Sequence, residues 1–113
     1  YSLWQGASGW LARHFWEHYL FTGDRQFLRD RAYPLMKEAA EFYLDFLVED
    51  PRTKLLVAGP ASSPENRYLA PDGAKLDVDI APAMSMEIID DLFMEPATAD
   101  TRSPSPSRCC WSP

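Results

Sequence analysis

Gly9-Trp10-Leu11-Ala12-Arg13-His14-Phe15-Trp16-Glu17-His18-Tyr19-Leu20-Phe21-Thr22-Gly23-Asp24 reads as a helix, a stop and a new start. Trp10, Leu11, His14, Phe15, His18 and Tyr19 recur at helical spacing, so the stretch predicts a helix over 9–21 with one broad apolar face. Gly23 suits the left-handed position that ends a helix, since it has no Cβ to clash there. Asp24 is a good N-cap for the helix that follows. Helix, tight turn and helix make a helical hairpin, and this sets the fold class as all-α.

Beyond this turn, Phe27 and Leu28 bury one side of a short helix. Tyr33-Pro34 marks a break or a fresh start, because proline disfavours the helical conformation in the residue before it. Residues 35–49 give the clearest periodicity. Leu35, Met36, Ala39, Phe42, Tyr43, Phe46 and Leu47 form an apolar stripe, while Lys37, Glu38, Glu41 and Asp45 face water. Asp50-Pro51 stops that helix, and residues 55–58 read as a short extended run. Residues 59–81, rich in proline, glycine and polar groups, read as a long loop, a feature that is uncommon in compact domains and often functional. A helix resumes at Pro82, with Met84, Ile88, Ile89, Leu92 and Phe93 on its buried side. After Glu95 the composition changes abruptly. Residues 96–113 are rich in proline and serine, carry no apolar period, and are expected to be a disordered tail. A shifted reading frame would also produce such a switch in mid-helix.

Composition bounds the function. The chain has 113 residues, enough for one small domain at most, and its 46% hydrophobic and 13% aromatic content is that of a globular protein. A net charge of −6 argues against nucleic acid, whose backbone demands a basic face. No apolar run approaches the roughly 20 residues of a membrane span. Cys109 and Cys110 are adjacent, which is poor geometry for bridging each other, and they suggest neither a disulfide framework nor a four-ligand zinc site. The chain starts at Tyr1 rather than methionine, so Tyr1 is expected to lie inside a longer parent. A signal directing that parent to a secreted or periplasmic location would then precede it.

Three segments have residues capable of chemistry. His14-Phe15-Trp16-Glu17-His18 matches the inverted zinc-protease pattern, in which two histidines four apart on a helix share a metal and the glutamate serves as base. A third protein ligand has only scattered carboxylates, such as Glu87, to come from. The plainer reading is a histidine pair in an aromatic helix interface. In the loop, Gly59-Pro60-Ala61-Ser62-Ser63-Pro64-Glu65-Asn66-Arg67-Tyr68 places a carboxylate between a stiff proline and polar donors, beside an aromatic ring. That set suits a sugar, although an ordinary surface turn has the same composition. Glu17, flanked by Trp16 and His18, needs a partner if it is buried.

Taken together in order, Trp10-Leu11, Phe15-Trp16-Glu17-His18-Tyr19-Leu20-Phe21-Thr22-Gly23-Asp24, Tyr33-Pro34-Leu35-Met36-Lys37-Glu38-Ala39-Ala40-Glu41-Phe42-Tyr43 and Ser63-Pro64-Glu65-Asn66 resemble glycoside hydrolase family 95. The segment from Met84 to Phe93 fits as well, so the resemblance runs from residue 1 to about 94. The family contains α-L-fucosidases, chiefly of the 1,2-linked type, and some α-L-galactosidases. The resemblance implies a partial (α/α)6 barrel of helical hairpins, with residues 1–95 as a fragment of that catalytic domain. It implies inverting hydrolysis of a fucosylated glycan without a metal or organic cofactor. By motif Glu65 matches the general acid, while Trp16, Glu17, His18 and Asn66 match or adjoin sugar-contacting positions. The family's base side uses asparagines upstream of this chain and an aspartate downstream, so the remainder of the parent domain is the expected partner. The isolated chain is expected to be inactive. The rivals are a zinc peptidase built on His14, Glu17 and His18, and a non-enzymatic helical interaction module.

Overall fold

A computed structural model describes residues 4–64 and 66–101, with backbone only for 96–101. The chain is predominantly helical. Helix α1 spans Ala7–Thr22, and Gly23 ends it in the left-handed conformation (φ 66°), donating its N–H to the Tyr19 carbonyl at 2.8 Å. Asp24 caps the next turn, its carboxylate accepting from the Phe27 N–H at 2.9 Å. The hairpin thus forms by the turn chemistry that its sequence dictates.

The second arm differs from expectation at both ends. The one-turn helix α2, Arg25–Phe27, runs through a π-helical turn at Leu28–Ala32 straight into α3, Tyr33–Phe46, without a break at Tyr33-Pro34. Tyr33 stays helical (φ −58°, ψ −46°) and donates to the carbonyl of Leu28, five residues back. The wider turn makes room where the Pro34 ring would otherwise press on the carbonyl four residues earlier. At the other end α3 stops at Phe46, three residues early, and Leu47–Glu49 is strand β1. It pairs antiparallel with β2, Leu56–Ala58, in the run expected to be extended. Asp50 closes this hairpin, its carboxylate accepting from the Arg52 N–H at 2.9 Å and the Thr53 hydroxyl at 3.2 Å.

Residues 59–81 are not structureless. β3 (Ala61–Ser62) pairs with β6 (Val78–Asp79), and inside them β4 (Tyr68–Leu69) pairs with β5 (Lys75–Leu76). The result is a short nested ribbon whose tip turns at Gly73 (φ 86°), where Asp72 accepts from the Ala74 N–H at 3.0 Å. Helix α4 follows, Ala83–Thr101, and continues six residues beyond the end expected at Glu95. Ala97 and Ala99 are good helix formers, and they carry the backbone past the change in composition. The rest of the predicted tail, 102–113, lies outside the described residues.

The core lies among α1, α3 and α4, and its α1 face is rotated from the one periodicity suggested. Gly9, Ala12, Trp16 and Tyr19 are buried, whereas Trp10 and Leu11 are exposed. Small residues explain the rotation. A Cβ on Gly9 would come within 2.6 Å of Ile88 Cγ2 and 3.1 Å of the Tyr43 ring, so only glycine lets the three helices approach this closely. On α3 the buried set is Met36, Ala39, Ala40 and Tyr43, with Leu35 and Phe42 turned outward. On α4 Ile89 and Leu92 are buried and Ile88 and Phe93 are half-buried. Tyr43 ties the helices together at one end. Its hydroxyl donates to the Gln5 carbonyl at 2.8 Å and accepts from the Gly9 N–H at 3.1 Å, with the Ser8 hydroxyl at 3.2 Å.

Candidate functional site

The loop segment is anchored on both sides of position 65. The Asn66 N–H donates to the Ser63 carbonyl at 2.8 Å, and the Asn66 side-chain amide reaches the Ser63 hydroxyl at 3.5 Å. That hydroxyl in turn points to the sulfur of Met84, in the first turn of α4, at 3.9 Å. Tyr68 donates its hydroxyl to the Val78 carbonyl at 3.2 Å, pinning the outgoing strand to β6. Glu65 itself, the residue matched to the general acid, lies outside the described residues. Asn66 is exposed, with its amide folded back onto its own turn.

The α1 candidates divide. Trp16 is buried in the helical core against Tyr19, their ring centroids 5.3 Å apart. Glu17 is half exposed, with Arg13 Nε at 3.7 Å and His14 Nδ1 at 4.0 Å. His18 is exposed and leans on the Phe27 ring at 4.2 Å. Among the described residues no hydrogen bond or ion pair joins Trp16, Glu17 or His18 to Ser63 or Asn66. The zinc reading meets a geometric obstacle. Among the described residues no three His, Cys, Asp or Glu side chains are grouped to hold a metal ion.

A cluster that the sequence reading missed sits between α1 and α4. Arg13 makes an ion pair with Asp91 and also lies 3.9 Å from Glu95 and 3.7 Å from Glu17. Three of these groups are about half exposed, but the Glu95 side chain is only 11% exposed. Burial pushes the Glu95 carboxyl up to about 7. Asp91 and Glu17 add to the rise, and Arg13 opposes it. The only sequence signal was the spacing of Arg13 to Glu17 and of Asp91 to Glu95, each one helical turn.

A folded-state value near 7 against an ordinary 4.5 means that the folded chain binds the Glu95 proton more tightly than the unfolded chain does. The contribution is therefore fully present below pH 4.5 and is lost as pH rises through 7. From this group, stability is expected to fall by up to about 3 kcal/mol between pH 5 and 8. Urea melts of the chain and of Glu95→Gln check this. The variant is expected to lose that pH dependence and to be the more stable of the two at pH 8. Equal slopes in the two chains would show that Glu95 is not the titrating group.

Residues 1–106 match the Glycosyl hydrolase family 95 catalytic domain. The chain is 34% identical over 99 residues to Alpha-L-fucosidase 2 of Arabidopsis thaliana, a match covering 88% of this chain and 12% of that protein. It is 37% identical over 62 residues to Probable alpha-fucosidase A of Aspergillus niger, covering 53% of this chain and 8% of that protein. The chain thus spans a small part of the length of both relatives. The family match runs past Glu95 into the segment read as a tail, as α4 does. With nearly its whole length inside that one catalytic domain, the chain belongs to glycosyl hydrolase family 95.

Proposed function

We propose that this chain carries the acid side of a glycoside hydrolase site that removes terminal α-L-fucosyl, or α-L-galactosyl, residues with inversion. The match to the family domain over residues 1–106, which includes Ser63-Pro64-Glu65-Asn66, supports the reading most strongly. Both relatives are named as α-fucosidases. Glu65 is the general acid. Its carboxylic proton passes to the oxygen of the departing alcohol as the glycosidic bond breaks, while a base on the opposite face takes a proton from the attacking water. Two carboxyl-type groups suffice for this chemistry, so no metal or cofactor enters the reading.

The base comes from the remainder of the parent domain, so the isolated chain is expected to be inactive. The same remainder completes an (α/α)6 ring and covers the apolar side chains left outside, among them Trp10, Leu11, Phe21, Leu35 and Phe42. Glu17, His18 and Asn66, all exposed, are the sugar-facing candidates. Trp16, buried beneath Glu17 and His18, supports their helix more than it offers a surface to sugar.

The test is a segment exchange. Residues 1–101 replace the matching segment of the Arabidopsis relative, and release of L-fucose from an α-L-fucoside is measured. The hybrid is expected to hydrolyse the fucoside. A hybrid that melts cooperatively yet releases no fucose contradicts the proposal.

A further inference from the structure

Arg13 occupies a junction. Its guanidinium lies between α1 and α4, and it faces Glu17, Asp91 and Glu95 at once. The guanidinium reaches Asp91 through Nη1 and both glutamates through Nε, so one planar cation serves three carboxylates. Helix α4 is held at its other end as well. The Met84 sulfur receives the Ser63 hydroxyl, two residues before Glu65, and the Met86 sulfur lies 3.3 Å from the Ala58 N–H. The element that supports the Glu65 loop is therefore the element that Arg13 fastens to α1.

We propose that Arg13 is a positioning residue. It clamps α1 to α4 through Asp91 and Glu95, and so fixes Glu17 relative to the loop that bears Glu65. The inference rests on the hydrolase reading for the meaning of Glu17, but the clamp is measurable without catalysis. Tight burial of Glu95 beside half-exposed Arg13 makes Glu95 a reporter of the guanidinium's presence. His14 Nδ1 lies 4.0 Å from Glu17 on the same helix, and Glu17 and Asp91 flank Arg13 from α1 and α4.

The experiment uses the full chain and nuclear magnetic resonance. Carbon-detected titration follows the Glu95 carboxyl, and side-chain coupling constants follow the rotamers of Glu17. In Arg13→Gln the Glu95 midpoint is expected to rise by about half a pH unit or more, since an opposing cation has been lost. The Glu17 couplings are expected to collapse toward free-rotor averages. Arg13→Lys keeps the charge, so the midpoint stays near that of the unaltered chain while Glu17 still averages, because one ammonium cannot hold both acids in a fixed geometry. If Arg13→Gln fails to fold, the Lys variant carries the test. Glu17 couplings unchanged in either folded variant overturn the proposal. If the hydrolase reading fails in the hybrid while these shifts appear, the clamp stands and only its catalytic meaning is lost.

Discussion

Replacing Glu65 with glutamine in the active hybrid is expected to lower kcat on a sugar-linked fucoside by about 10²- to 10⁴-fold, the range that general acid catalysis contributes. Glutamine keeps the shape and hydrogen-bonding reach of the carboxyl but has no proton to give to the leaving oxygen. The pH profile separates this from simple misfolding. An enzyme that needs a protonated acid loses rate as pH rises through that acid's pKa, which produces the basic limb of a bell-shaped curve. The Glu65→Gln hybrid is expected to lose that limb and keep the acidic one, which belongs to the base. KM is expected to change little, since the lost interaction acts mainly in the transition state. A variant that keeps both limbs at reduced height would instead point to Glu65 as a binding or packing residue.

The second large effect concerns the helical core. Tyr43 is 1% exposed, and its hydroxyl joins three groups of the α1 start, Gln5, Ser8 and Gly9. Tyr43→Phe keeps the ring and removes the oxygen. It leaves the Gly9 N–H and the Gln5 carbonyl with a partner missing, and is expected to destabilise the chain by about 1–3 kcal/mol. Tyr43→Ala also empties the space between α1 and α3, and a loss of about 3–5 kcal/mol is expected. Denaturant melts of the chain give both values. A Phe variant as weak as the Ala variant would mean that the hydroxyl network, not ring packing, dominates. A Phe variant equal to the unaltered chain would mean that water replaces the hydroxyl at no cost.

The parts of the fold that were legible are those set by local chemistry. Gly23 and Asp24 end one helix and start the next by rules that act over three or four residues, and both acted as read. The helix stop expected at Asp50-Pro51 was misplaced: α3 ends at Phe46, Leu47–Glu49 is strand, and Asp50 turns the hairpin instead. Three residues of strand have no period of their own, and their extended form comes from pairing with Leu56–Ala58. The nested ribbon in 59–81 escaped notice because each of its four strands is only two residues long. The buried face of α1 was misread because periodicity weighs large apolar residues, whereas close helix packing at Gly9 and Ala12 is decided by small ones.

The site divides in the same way. Ser63-Pro64-Glu65-Asn66 was legible as a motif, because motif residues are contiguous. The Arg13 junction was not, because Arg13 and Asp91 are 78 residues apart and no local pattern pairs them. Trp16 entered only through the family resemblance. By its own place in the helical register it reads as core, and it lies buried there against Tyr19.

The most direct test of the central claim compares two fucosides in the hybrid and its Glu65→Gln variant. One has a dinitrophenolate leaving group, which departs without a proton. The other has a sugar hydroxyl, which needs one. If Glu65 is the general acid, the variant loses about 10²- to 10⁴-fold on the sugar-linked substrate and little on the activated one. Equal losses on both, or no loss on either, would contradict the assignment of Glu65 and with it the proposed function.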